Sequence, residues 1–271
     1  MDDLDKALSH FDSMVDYEVA PVCPDGRKRS ASACRKCLQK QYFPGGTVDY
    51  SCSQLRLLYV LCYLPVHLKE NLDVLEGLNR NGVENSWAPS IEVLALGGGP
   101  GSEIAGFQIF VANHGFFGSN PAGIEITRLD RVAEWSEIFK TVRSIAQGTE
   151  TKFKYSRIKD DVRKINRYKG TYDLVFLSYI VSELTDVEAV QLGKALANVI
   201  KKKCVLVFND RNETDVVNRI DTITKLLPPA ITEYESKSAC HVGMPYPEAI
   251  KERVGPKLHL SSYRRGIVVV S

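Results

Sequence analysis

Three glycines at alternate positions, Gly97, Gly99 and Gly101, stand in the run Gly97-Gly98-Gly99-Pro100-Gly101-Ser102. The apolar stretch IEVLAL precedes this run directly, and a segment with helical spacing follows it. A strand that passes through such a turn into a helix aims the free N–H groups of the helix N-terminus above the strand's carboxyl end. Without side chains at 97, 99 and 101 a ligand can approach the main chain, and Gly106 is read as allowing tight packing of the helix on the strand. A carboxylate, a ribose or a phosphate fits such a place.

The spacing narrows the ligand. A dinucleotide fingerprint needs glycine at its first, third and sixth positions, whereas the sixth residue from Gly97 is Ser102 and the glycine sits at the fifth, which disfavours a nicotinamide dehydrogenase. A short apolar strand followed by G-x-G-x-G resembles the first motif of the class I S-adenosylmethionine-dependent methyltransferases. The resemblance covers about two thirds of the chain, from Ile91 onward. It implies an α/β fold with a doubly wound, mostly parallel, seven-stranded Rossmann-like sheet, S-adenosyl-L-methionine as cofactor, and methyl transfer to an acceptor that the motif does not identify. That family commonly carries an acidic residue two positions before the first glycine; here Ala95 stands there, with Glu92 further back. This departure supports a second reading, a non-catalytic methyltransferase-like scaffold or an RNA- or ribosome-associated protein acting through partners.

The resemblance also implies site residues. Gly97, Gly98, Gly99 and Gly101 would line the cofactor. At the tip of the second strand, AGIEITRLD, the family's carboxylate grips both ribose hydroxyls, which requires two acceptor oxygens. Asp130 is preferred, because Glu125 lies within the alternation of Ile124 and Ile126; Asp130 also suits an N-cap. Asp160 and Asp161 end the third strand, and Asp161 is assigned to the adenine, although an Asp pair there also suits a solvated turn. Trp135 is read as core or as an adenine neighbour. Ser178 closes the fourth strand on the cofactor side, with Tyr179, Ser182, Glu183 and, from the end of the fifth strand, Asp210 facing the substrate. The D/N-P-P-Y/F tetrapeptide of base-amine methylation is absent there. No catalytic base is singled out, since displacement at a sulfonium gains most of its rate from positioning.

The elements that must hold these residues are legible as patterns. LDKALSHFDSMV reads as a short amphipathic helix, followed by a loop with Arg27, Lys28, Arg29, Arg35, Lys36 and Lys40. From Ser51, a candidate cap, a helix runs through SQLRLLYVLCYL until Pro65 kinks or ends it, and HLKENLDVLEGLNRNG supplies the next. Near Trp87 the pattern changes, giving a helical N-terminal segment at 1–86 with its basic, Cys-containing loop, and a cofactor-binding domain at 87–271. There SEIAGFQIFVANHG is a helix ending at Gly115, RVAEWSEIFKTVRSIAQG a helix with a glycine stop, and TKFKYSRIKD an alternating strand. YDLVFLSYIV and KKCVLVFND are strands buried on both faces. AITEYESKSACHV and HLSSYRRGIVVVS are expected as an antiparallel edge pair.

Bulk composition sets limits. The 271 residues carry 35 Lys and Arg against 33 Asp and Glu, a net charge of +2, so the global field does not attract nucleic acid. The six-cation cluster is read as a solvated loop, with a clamp on RNA phosphates as its functional alternative. Seven cysteines, an odd number, argue for reduced thiols. Cys34 and Cys37 have C-x-x-C spacing and, with Cys23 and Cys52, are the candidates for zinc; because the outer two are lone, no metal is assigned. The acidic first residues and the lack of an apolar run of ~20 residues imply a cytoplasmic or nuclear protein without membrane contact.

Overall fold

Strands that are apolar on both faces need cover from both sides, and the chain supplies it with helices before and between them. The computed structural model describes residues 2–17, 23, 31–42, 50–83, 87–146, 151–168, 171–244 and 246–270. Three helices come first: α1 (Asp2–Ser13), α2 (Ala31–Tyr42) and α3 (Ser53–Arg80). Then follow β1 (Ser90–Leu96), α4 (Ser102–His114), β2 (Gly123–Leu129), α5 (Trp135–Val142), β3 (Lys152–Ile158), β4 (Tyr172–Ser178), α6 (Asp186–Ala197) and β5 (Ile200–Asp210). The chain closes with α7 (Thr214–Lys225), β6 (Ala230–Ser236), β7 (Cys240–His241), α8 (Glu248–Val254), β8 (His259–Leu260) and β9 (Tyr263–Val270).

Seven strands form one sheet in the order β3-β2-β1-β4-β5-β9-β6. The first five are parallel, in a register that sets Leu94 beside Val175 and Val175 beside Leu206. Only β9 runs against its neighbours, lying between β5 and β6. The expected antiparallel edge pair is therefore present, although each expected strand is divided, and β7 and β8 form a separate two-stranded ribbon.

One sheet face, with Val93, Ala95, Phe176 and Val207, packs under Leu72, Val74, Leu75 and Leu78 of α3 and Phe107 and Phe110 of α4. The other, with Leu94, Leu177, Leu206 and Phe208, is covered by α6 and α7 through Leu192, Leu196, Ile220 and Ile223. Fully burying such a side chain stabilises by about 1.5–3 kcal/mol. The N-terminal half of α3 instead joins α1, α2 and α8 in a further cluster around Leu8, Leu38, Leu64 and Val254.

Several local expectations are corrected. Pro65 neither ends nor interrupts the helix: α3 is continuous over 28 residues, about 42 Å. The missing N–H at 65 frees the Leu61 carbonyl, which accepts instead from the Tyr246 hydroxyl at 2.7 Å. The Cys62 carbonyl accepts from the Lys257 N–H at 3.0 Å. A tertiary donor thus replaces the bond the proline removes, and a second one reaches the neighbouring carbonyl. The N-cap of α3 is Cys52, without a side-chain cap, rather than Ser51. Gly106 serves a helix-on-helix contact, not helix on strand, because a Cβ there would lie 2.6 Å from the Leu68 carbonyl oxygen. The expected basic loop is partly helical, with Arg35, Lys36 and Lys40 on α2, whereas Arg27, Lys28 and Arg29 lie outside the described residues. Helix α5 starts only at Trp135, since the Asp130 carboxylate ties the Val132 N–H into a turn at 2.7 Å; its expected stop, Gly148, lies outside the described residues.

Among the described residues no cysteine is joined in a disulfide. Cys34 and Cys37 share α2, and among the described residues no group of three or more His, Cys, Asp or Glu is placed to hold a metal ion. Among the described residues no helix is long and apolar enough to cross a membrane. Tyr246→Phe should lower stability by about 1 kcal/mol in chemical denaturation, the cost of one buried carbonyl left unpaired. In a Pro65→Ala background, where the helix supplies its own donor, the same change should cost measurably less.

Candidate functional site

Above the carboxyl ends of β1, β2 and β4 lies a cavity of about 420 Å³. Parallel strands all end on one side of the sheet, and the order reverses between β1 and β4, so this is where an open α/β sheet leaves a crevice.

The glycine turn forms its floor. Gly97 has φ +61 and a Cβ there would fall 1.9 Å from Ile180 Cδ1, so the position excludes a side chain by conformation and by space. Gly99 is held by both of its backbone groups: its N–H donates to Asp130 Oδ2 at 2.8 Å, and its carbonyl accepts from Arg128 Nη1 at 2.6 Å. Gly97 N–H donates to the Leu129 carbonyl at 2.8 Å, joining the turn to the end of β2.

Arg128, 2% exposed, carries its guanidinium 4.3 Å above the Phe139 ring and donates to Ser136 at 3.3 Å. It lies in register beside the fully buried Ala95. Asp130 accepts two backbone N–H bonds, from Gly99 and Val132, and a carboxylate has lone pairs for about two more. Burial raises its carboxyl above the usual range, opposed by those two N–H groups and by Arg128. Glu125, the alternative for this role, is exposed toward solvent in an ion pair with Lys154 at 2.7 Å.

The structure brings Gly97, Gly98, Gly99, Asp130, Asp161, Ser178, Tyr179, Ser182 and Glu183 to the cavity wall. Two expected residues stand elsewhere. Gly101 is behind the wall, against Phe139, as the left-handed residue that starts α4. Asp210 is fully buried, its Oδ2 accepting the Ser182 N–H at 3.0 Å and its Oδ1 the Arg211 N–H at 2.8 Å, so it holds loops together instead of facing the crevice. Asp161 accepts from the Arg163 N–H at 2.9 Å and pairs with that guanidinium, while Asp160 takes the Tyr168 hydroxyl and Lys164. Glu183 pairs with Arg131 at 3.8 Å. Trp135 belongs both to the core and to the wall, its ring 4.9 Å from Tyr50 and 5.7 Å from Tyr59.

Sequence reading missed four residues. Arg128 follows Ile124 and Ile126 on the buried phase of β2, and a charge in that phase was its only signal. His67 and Glu70 are polar residues one turn apart in an apolar helix, and α3 carries both to this end of the sheet. Glu103, in the first turn of α4, is buried beneath Gly98 with Oε1 lacking a hydrogen-bond partner.

Burial pushes the Glu103 carboxyl up to about 8, with Arg128 opposing. An acid whose folded value lies above its unfolded value of about 4.3 gives full stability below that pH and loses it as pH rises toward 8. Glu103→Gln should therefore flatten the decline of unfolding free energy between pH 5 and 8. The wild type loses up to about 1.4 kcal/mol per pH unit from this group; parallel denaturation series of both proteins check it.

No family model matches the sequence, and no curated protein matches it. Solved structures do. A provisional O-methyltransferase from Nostoc punctiforme superposes with a TM-score of 0.51 at 12% identity over 88% of this chain and 68% of that one. A SAM-dependent methyltransferase from Leishmania major gives 0.47 at 14% identity over 93% and 96%, and the plantazolicin methyltransferase in complex with SAH gives 0.45 at 11% over 88% and 95%. The likeness is one of fold: seven strands, mostly parallel, with β9 reversed beside the edge, make this chain a class I, Rossmann-like methyltransferase fold.

Proposed function

We propose that this chain is an S-adenosyl-L-methionine-dependent methyltransferase whose cofactor lies along the glycine turn. The observation that carries the reading is the Gly99 clamp: the bare main chain of the turn and the two-oxygen acceptor Asp130 are fixed to each other on the wall of one cavity.

The residues fit the group. Gly97 to Gly99 offer main chain without Cβ atoms, suited to the methionine portion. Asp130 keeps free lone pairs for two vicinal ribose hydroxyls. Asp161 and Val162 also line the cavity, where an exocyclic amine would find an acceptor and a ring nitrogen a backbone donor. Ser178 stands at the end of β4 and lines the cavity. Bound there, the cofactor would supply a methyl group on a positively charged sulfur. Arg128 positions the turn from below, on the strand next to the Ala95 site where an acidic anchor is common.

Calorimetry of the chain with S-adenosylmethionine, and with S-adenosylhomocysteine as competitor, tests the reading. Micromolar binding is expected, weakened at least tenfold, about 1.4 kcal/mol, by Asp130→Ala and unchanged by Glu125→Ala. Absence of binding at high micromolar ligand would sink it, and binding without transfer to any acceptor would return the scaffold reading.

A further inference from the structure

His67 takes no part in holding the glycine turn, yet its ring reaches the same cavity. It lies on α3 three residues before Glu70, with side-chain exposures of 3% and 0%. Nδ1 is 3.2 Å from Glu70 Oε2, which also accepts the Tyr179 hydroxyl at 3.1 Å and the Asn209 amide at 3.1 Å. Lys257 Nζ stands 3.7 Å from the other carboxylate oxygen. Burial by itself would raise Glu70, but His67, Lys257 and Asn209 outweigh it and hold the carboxyl below the usual range.

An ionised carboxylate only accepts, so Nδ1 must carry the ring hydrogen and Nε2 presents a lone pair. That Nε2 is buried and has no hydrogen-bond partner. A buried acceptor without a donor is costly to fold around, and because His67 lines the cavity, a ligand hydroxyl that reaches Nε2 would supply the donor. The neighbourhood is built tightly. Tyr179 sits at the tip of β4 with φ +55, a left-handed conformation that a tyrosine adopts at a cost, and its ring meets His67 edge-on at 4.2 Å. Ser178 Oγ accepts from Asn71 at 3.2 Å, tying the same strand end to α3. The groups facing the imidazole are Glu70, Tyr59 and Tyr63 from its own helix, Tyr179 from the end of β4, and Lys257. Burial chiefly, and Lys257, lower its affinity for a proton against the opposing pull of Glu70, which favours the neutral ring.

The wall on this side is aromatic. Tyr50, Tyr59, Trp135 and Tyr179 all line the cavity, and Tyr50 and Tyr59 both contact Trp135. Flat faces of this kind select a planar guest.

We propose that His67 is the general base of this site, that Glu70 positions it, and that the acceptor is a small aromatic molecule methylated on a hydroxyl oxygen. The proposal rests on the methyltransferase reading above. The acceptor's O–H bond breaks and its proton passes to His67 Nε2, where Glu70 balances the new imidazolium charge. The oxygen's electron pair forms the bond to the methyl carbon, and the carbon–sulfur bond breaks with its pair left on sulfur. The products are the methyl ether, S-adenosylhomocysteine and a proton that His67 releases to water.

The full chain saturated with S-adenosylhomocysteine, with 4-nitrophenol as probe, tests this without turnover. The bound probe should ionise about one pH unit lower than in solution, a tenfold effect read from nitrophenolate absorbance. His67→Gln should bind the probe within about threefold of wild type while losing that shift, and Glu70→Gln should lose most of it. In the wild type, histidine ¹⁵N spectra should show the Nδ1–H tautomer at His67, a readout that needs no variant to fold. Equal ionisation in wild type and His67→Gln, an Nε2–H tautomer, or no probe binding to the S-adenosylhomocysteine complex overturns the proposal. Failure to bind S-adenosylhomocysteine overturns the methyltransferase reading with it, which separates the two.

Discussion

Helix α3 approaches α4 so closely that the Leu68 carbonyl fills the space a side chain at position 106 would need. With that contact made, the two helices form a continuous cover over one sheet face, and the C-terminal half of α3 contributes its leucines to the core beneath. The same contact fixes the height and rotation of the turn that carries His67 and Glu70, so these two polar side chains arrive at the ends of β4 and β5. The helix could not do this if it stopped at Pro65. It continues because Tyr246, nearly two hundred residues further along, supplies the donor that the proline ring removes, while the Lys257 N–H bonds the neighbouring Cys62 carbonyl. A local conflict is thus resolved by the tail of the chain, which ties the segments on either side of α8 to the middle of α3.

A second constraint acts on the glycine turn. Turns without side chains have many conformations, and this one is limited by ionic hydrogen bonds to both polar groups of a single peptide neighbourhood, from Asp130 and Arg128. Charge-assisted bonds are short and strong, and burial strengthens them further. Both residues come from the end of β2, so pairing of β2 with β1 sets the turn before any ligand arrives. Glu103, buried next to Arg128 with a raised carboxyl, shows what that arrangement costs: the region concentrates more ionisable groups than its burial readily tolerates. Such concentrations are characteristic of working sites.

Apolar runs and strict alternation between amphipathic stretches were enough to place β1 to β5 and the helix after the glycine turn, because two-sided burial in β4 and β5 and one-sided packing in β2 and β3 leave direct traces in residue type. The position of the third glycine was enough to separate this turn from a dinucleotide loop. The choice of Asp130 over Glu125 as the carboxylate of the wall also followed from strand phase, since a residue inside an alternation faces out while one at the strand's end faces the crevice.

Other features were settled only by contacts far apart in the chain. Strand phase could not show that Asp210 turns into the protein to hold the Ser182 loop, because the donor it satisfies is a backbone N–H 28 residues away. Helical periodicity treats Pro65 as a stop, since local rules contain no Tyr246. His67 and Glu70 read as two polar interruptions in an apolar helix until Tyr179 and Asn209 come down on them from the sheet. Sequence by itself determined the elements and the glycine turn, whose causes lie within a few residues. The tertiary structure alone decided which buried polar groups find partners and which, like His67 Nε2, are left without one, because hydrogen-bond satisfaction depends on every chain segment that packs nearby.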